Sequence, residues 1–347
     1  MKLLLKKIKT IIFKPYYLAK FKADVKNYEE GRLGNSVRSY YNMVNAFCAT
    51  GGSLHRDVSN QISKLNPIVD LNPLLKDSIF SPESIDFDVI DKKLNQDGFY
   101  VFPQRLDGDL VGKLLDFAKS TPCKTRAVDT EKSVSEDLLI IDENSPQSII
   151  YQVPEEKVIN NPIVQKIVSD YIFLKIAQNY LRVDPILDIC TLWWSTNFSA
   201  KSDKNAAQWY HFDMDRIKWL KVFIYLTDVG PDNGPHTFVK NSSMDGGIPM
   251  GLLSKGYNRL SDNEVMGYFN KSQIIEFTGL SGTIIFEDTR GLHKGRNVTG
   301  SPRCLFQFQF CNSLFGAAYS RVNIEERHAG FINQINSISK RFLSRYR

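Results

Sequence analysis

His211 and Asp213 stand two residues apart in a segment, QWYHFDMDRIKWLKVFIYLTDV, that reads as extended structure. Alternate residues of a strand point to one face, so the imidazole and the carboxylate lie side by side with Phe212 turned away. Such a pair supplies two legs of a triad of two histidines and one carboxylate, which leaves positions open on Fe(II) for an oxidant and a cosubstrate. The third leg has to come from the remaining histidines, His55, His236, His293 and His328. Of these, His293 sits in a second strand-like segment, SGTIIFEDTRGLHKGRNV.

Ten residues after His293, Arg303 opens another alternating run. Arg303, Leu305, Gln307 and Gln309 fall on one face, and Cys304, Phe306, Phe308 and Phe310 on the other. An arginine at that place can pair bidentately with a carboxylate. HFD, the strand and turn LKVFIYLTDVGPDNGPHTFV, and FEDTRGLHKG with its following arginine together resemble the phytanoyl-CoA dioxygenase-like branch of the Fe(II)/2-oxoglutarate oxygenases, over about residues 90 to 312. The resemblance implies that His211, Asp213 and His293 bind Fe(II) and that Arg303 holds the far carboxylate of the cosubstrate 2-oxoglutarate. O2 would be the second cosubstrate, and the expected reaction is hydroxylation of an unactivated C–H with release of succinate and CO2. Halogenating relatives replace the carboxylate by a small residue, so Asp213 favours hydroxylation. Phe223 matches the aromatic that the family places on the strand after its HxD motif. The sequence departs from the family at Gly295, where a small hydroxyl residue is common, and at Asn241, Ser242 and Ser243, where Gly-Ser-His is common.

Two other readings use the same residues. A non-catalytic jelly-roll binding or scaffold protein would keep the fold without the chemistry. A zinc hydrolase could use the same His, Asp, His set, but would leave Arg303 without a role.

The elements that must position these groups are legible in outline. The expected architecture is mainly β with flanking helices, a double-stranded β-helix (jelly roll, cupin-like) core with helical N- and C-terminal extensions. In WLKVFIYLTDV, Lys221, Phe223, Tyr225 and Thr227 share the mixed face, the expected pocket wall, which makes Lys221, Phe223 and Tyr225 candidate cofactor contacts beside Arg303. Asp232, Asn233 and Gly234 signal a turn closing a hairpin, and His236 just beyond it reads as structural. Residues 244–275 form a Gly-rich insertion placed for a lid. Upstream, residues 93–103 read as a strand entered at Asp97 and Gly98, Leu110 to Phe117 as a helix, SIIYQV as a short strand, Pro162 to Leu181 as one helix, and 188–197 as the strand before HxD. Trp193 and Trp194 read as core and not as a substrate platform, with strand alternation leaving room for one of them to look into the site. Asp215 and Asp288 read as supports, not ligands.

At 347 residues the chain can bury a large core. The expected organisation is a basic amphipathic N-terminal helical extension and linker over 1–88, the oxygenase domain over 89–315 and a helical tail over 316–347. In the tail, Phe331, Ile332, Ile335, Ile338, Phe342 and Leu343 keep helical spacing, facing either the N-terminal helix or a partner. The net charge of +6 belongs to the ends: Lys2, Lys6, Lys7, Lys9, Lys14, Lys20 and Lys22 precede the first acidic residue, Asp24. That distribution argues against a nucleic-acid partner, which needs positive charge along the working face. Residues 1–14 form a basic amphipathic helix ending at Pro15, too short to span a bilayer, that either lies on an anionic membrane surface or docks on the catalytic domain. Five unpatterned cysteines and no cleavable leader point to a reducing, cytoplasmic setting, with the inner membrane surface as the other expectation. The substrate class left open is a small molecule or a lipid-linked or glycan one.

Overall fold

The computed structural model describes residues 2–126, 138–199, 202–203, 207–337 and 341–347, with the side chains of 2–14, 126, 329, 336 and 337 outside that description. Three helices open the chain, α1 (Lys2–Glu29), α2 (Val37–Thr50) and α3 (Ser53–Leu65). Pro15, expected to end the first helix, stands inside α1. A proline costs the helix one backbone hydrogen bond and crowds the preceding turn. Here the second half of α1 is held by tertiary contact, since Phe21 and Val25 are buried in the same core as the sheet. The side chains of residues 1–14, on which the membrane-surface expectation rests, lie outside the described ones. Among the described residues, no helix is long and apolar enough to cross a membrane.

Within residues 1–88, expected as a helical extension and linker, packed helices run as far as Leu65. A capping box of Ser36 and Ser39 starts α2, and Gly51 and Gly52, both at positive φ, turn the chain into α3. Next come α4 (Phe87–Asp97), β1 (Phe99–Val101), α5 (Gly108–Ser120), β2 (Cys123–Arg126), β3 (Leu138–Leu139) and β4 (Ile150–Val153). The strand expected over 93–103, entered at Asp97 and Gly98, is β1, while residues 93–97 before that turn belong to α4. Asp86 caps α4 through the Asp88 and Val89 amides, Ile90 and Leu94 bury one face, and Gly98 at φ 88 ends it.

The chain continues with α6 (Glu155–Ile159), α7 (Pro162–Val168), α8 (Tyr171–Leu181), β5 (Ile186–Ser195), β6 (Trp219–Tyr225), β7 (His236–Val239), α9 (Met250–Leu253), α10 (Asp262–Met266), β8 (Ile274–Phe277), β9 (Ile284–Glu287), β10 (His293–Gly295), β11 (Arg303–Cys311) and α11 (Ala329–Ser337). The single helix expected from Pro162 to Leu181 is broken, because the Asp170 carboxylate takes the Ile172 amide as an N-cap and also the Ile79 amide.

Two antiparallel sheets form the core, an eight-stranded one in the order β1-β9-β6-β11-β5-β4-β2-β3 and a three-stranded one in the order β10-β7-β8. This is a mainly β, double-stranded β-helix (jelly-roll) core with flanking helices. β6 and β7 belong to different sheets, so the turn at Asp232–Gly234 does not close a hairpin. It hands the chain from the large sheet to the small one, with the Asn233 side chain accepting from the Gly230 amide at 2.9 Å and Gly234 at φ 65. β11 lies at the centre of the large sheet between β5 and β6. Its outer face, Cys304, Phe306, Phe308 and Phe310, is fully buried under the helices, where Phe173 of α8 meets Phe308 at 5.6 Å and Phe286 at 5.7 Å. Its inner face looks toward the small sheet. In the tail, α11 packs on α7 and Phe342 lies against Phe310; Ile338 falls outside the described residues.

Candidate metal centre

The backbone brings the two histidines together before any side chain is considered. His211 and His293 form a bridge with reciprocal amide-to-carbonyl bonds of 3.0 and 2.8 Å, and the Asp213 amide donates to the Thr289 carbonyl at 2.8 Å. The ring centroids lie 4.2 Å apart. Each Nδ1 sits 2.9 Å from a carbonyl oxygen two residues earlier, Trp209 for His211 and Gly291 for His293. A carbonyl only accepts, so Nδ1 carries the proton and Nε2 keeps a free lone pair. Both bare nitrogens turn toward Asp213, at 3.7 Å from Oδ1 for His211 and 3.6 Å from Oδ2 for His293. The three ligand atoms lie within 4.8 Å of one another.

The charge states suit a cation. Burial lowers the pKa of both imidazoles, and for His211 the neighbouring His293 adds to the effect. Burial would raise the Asp213 carboxyl, but the groups opposing it, the Lys221 ammonium first among them, hold it well below the usual carboxylate range. Two neutral imidazoles and one carboxylate are the protonation states a divalent metal requires.

Around this cluster lies a cavity of about 370 Å³, lined among others by Trp193, Phe223, His236, Arg303 and Gln307. Phe223 is in its wall, as expected. Lys221 is in the wall too, but its ammonium is bound at 2.6 Å to Asp213 and 3.4 Å to Asp215, so it supports the ligand carboxylate instead of standing free for a cofactor. Burial opposes the Lys221 charge, and those two carboxylates overcome it and raise its pKa. Tyr225 is not part of the wall. It is fully buried in a small apolar cluster beneath the site, where its hydroxyl donates to the Phe277 carbonyl at 2.7 Å.

Arg303 is 4% exposed and borders the cavity. It donates to the Gly234 carbonyl and, at 3.2 Å, to the Ser195 hydroxyl, while its Nε has no partner. Among the described residues no carboxylate pairs with it. A Cβ placed on Gly295 would come 3.7 Å from its Nη2, so the hydroxyl residue absent at 295 would have been its neighbour.

Asp215 accepts from the Tyr319 hydroxyl at 2.7 Å, and Asp288 from the Arg290 Nε at 2.9 Å. Trp194 is core and Trp193 faces the cavity. His236, read as structural, is buried against Glu287 at 2.9 Å and also lines the cavity, 5.5 Å from the His293 ring. Burial drives this pair to its neutral forms, with Glu287 pushed up to about 8 and His236 down to about 3. Sequence spacing missed Lys124 and Arg259, which reach the same cavity from distant segments.

No family model matches the sequence, and no curated protein does. Among solved structures the chain is similar to AviO1 from Streptomyces viridochromogenes Tue57, at 16% identity over 68% of this chain and 99% of that one, with a TM-score of 0.43. It is similar to the epimerase SnoN in complex with Fe3+, alpha ketoglutarate and nogalamycin RO, at 14% identity over 67% and 84%, with a TM-score of 0.44. A third is EctD from S. alaskensis with 2-oxoglutarate and 5-hydroxyectoine, at 18% identity over 71% and 82%, with a TM-score of 0.46. These likenesses lie in the course of the chain, and the chemistry of the site rests on its own residues.

Proposed function

We propose that the chain is an Fe(II)- and 2-oxoglutarate-dependent oxygenase of the phytanoyl-CoA dioxygenase kind, hydroxylating a small molecule. The observation that carries this reading is Arg303, a buried guanidinium without an acidic partner among the described residues, in the cavity that holds the His211, Asp213, His293 cluster. A buried charge is costly unless paired, and a cosubstrate carboxylate would complete it. The donor set fits the metal: two Nε2 lone pairs and one ionised carboxylate on one side, with cavity on the other. When bound, iron with 2-oxoglutarate and O2 supplies the oxidising power, one oxygen atom going to the substrate C–H as hydroxyl and the other to succinate as CO2 leaves.

The protein's own contribution is positional. Nδ1 contacts fix both imidazoles, Lys221 holds Asp213 ionised and oriented, and Arg303 orients the cosubstrate by its remote carboxylate. The apolar cluster of Phe223, Tyr225 and Phe277 closes the floor against water. A zinc hydrolase would use the same three ligands but gives Arg303 nothing to bind. Calorimetric titration of Mn(II)-loaded protein with 2-oxoglutarate discriminates the readings. Binding that requires the metal and is lost in Arg303→Leu supports the oxygenase, and metal-independent binding or none overturns it.

A further inference from the structure

Building on the oxygenase reading, we infer that the substrate is a small anionic, hydroxyl-bearing molecule such as a sugar phosphate or sugar acid, its charged group held by Lys124 and Arg259. Four cationic side chains line the cavity, and Asp213 is the only carboxylate among the described lining residues. Lys221 is committed to Asp213 and Asp215, and Arg303 to the cosubstrate. Lys124 and Arg259 have no ion-pair partner among the described residues, and both are exposed, so their charged ends are available at the mouth. They come from distant segments of the chain. Lys124 lies on β2, near one edge of the large sheet, and Arg259 precedes Leu260, which bridges to Tyr210 next to His211. Even with iron and dianionic 2-oxoglutarate in place, the wall keeps a surplus of positive charge. Focused inside a cleft with low-dielectric walls, that charge selects anions.

The rest of the wall says what the anion carries. Strand register sets Lys124 opposite Gln152, Gln152 opposite Trp193, and Thr191 opposite Gln307. Gln307 is 8% exposed, lines the cavity, and has no hydrogen-bond partner for its amide among the described residues. The Thr191 hydroxyl, in the same wall, is buried and likewise unpartnered. Unmet amide and hydroxyl groups beside an indole are what hydroxyl-rich ligands satisfy, and leaving such groups unmet in the complex costs affinity. The cavity volume of about 370 Å³, shared with the cosubstrate, admits only a small molecule.

The test is succinate release by the Fe(II)-loaded protein with 2-oxoglutarate and O2, over paired probes: glucose 6-phosphate against glucose, glycerol 3-phosphate against glycerol, gluconate against sorbitol. The expected result is stimulation by at least one anionic member and not by its neutral partner. Lys124→Ala and Arg259→Ala should each raise the half-saturating concentration of that anion about tenfold, as loss of one charge-assisted contact does. Neutral partners that stimulate equally, charge-loss variants that leave half-saturation unchanged, or no stimulation by any anion would overturn the inference. Metal-dependent 2-oxoglutarate binding by the same preparation, measured separately, tells failure of this inference from failure of the oxygenase reading.

Discussion

Arg216 and Arg303 are both almost completely buried, at 2% and 4% exposure, and they serve opposite ends of the same strand system. At the closed end, Arg216 meets Asp188 through two bonds of 2.9 and 2.7 Å, and Asp188 also accepts from Gln309 of β11 at 2.7 Å. Two backbone carbonyls, of Leu314 and Ala317, complete its shell. At the open end, Arg303 of the same β11 has one carbonyl, one hydroxyl and, among the described residues, no acid. The other buried arginines among the described residues follow Arg216, with Arg290 on Asp288 and Arg345 on Glu155. Burial alone therefore does not separate a structural arginine from a binding one. What separates them is whether the protein supplies the counter-charge.

If that contrast is right, the largest effect should fall at the closed end. Asp188→Ala leaves Arg216 charged and unpaired, and should cost about 3–5 kcal/mol in urea unfolding, whereas Arg303→Leu removes a charge that lacks an acid and should change stability by less than about 1 kcal/mol. The order reverses for ligand binding. Arg303→Leu should weaken 2-oxoglutarate by roughly 10- to 150-fold, the worth of a charged hydrogen-bonded contact at about 1.5–3 kcal/mol, with Fe(II) affinity retained.

His55 sharpens the comparison, because it is fully buried with neither ring nitrogen partnered and yet borders no described cavity. It stacks on Phe21 at 4.6 Å, and burial, aided by the charge of Arg290, lowers its pKa to about 3. The unfolded chain takes up a proton at this residue below about pH 6.5, and the folded chain does not until near 3, so stability falls as pH drops through that window. The loss from this one group is about 1.4 kcal/mol per pH unit, or about 2 kcal/mol at pH 5. His55→Phe should flatten the acid limb of the stability profile by that slope, as read by urea midpoints between pH 7 and 4.5. An unchanged limb would mean that an unpartnered buried base carries no cost here, which would also weaken the argument made for Arg303. The smallest effect is expected from Gly295→Ser, which sets a hydroxyl beside the Arg303 guanidinium. It should tighten 2-oxoglutarate by roughly two- to tenfold, one added hydrogen bond.

The His211, Asp213, His293 cluster was legible in sequence where period and spacing decide it. The two-residue step from His211 to Asp213 and the alternation of β11 put the right groups on one face. Alternation fixes the face and not the depth: Tyr225 shares its side of β6 with Phe223 but lies past the point where the cavity ends. Tertiary support overrode local signals at Pro15, and capping by Asp170 split a continuous apolar pattern. Lys124 and Arg259 were illegible for a different reason. Nothing local distinguishes a lysine or arginine at a cavity mouth from a solvated one, and only the assembly of β2 and the 244–275 insertion around the same space gives them a role.

The central claim is that His211, Asp213 and His293 hold iron beside a cosubstrate carboxylate taken by Arg303. Anaerobic titration of the apoprotein with Fe(II) and then 2-oxoglutarate, followed in the visible spectrum, tests it most directly. The account predicts a metal-to-ligand charge-transfer band in the wild type, abolished in Asp213→Ala and displaced to much higher 2-oxoglutarate in Arg303→Leu. A folded wild-type protein that gives no band, or a band indifferent to Asp213, would contradict it.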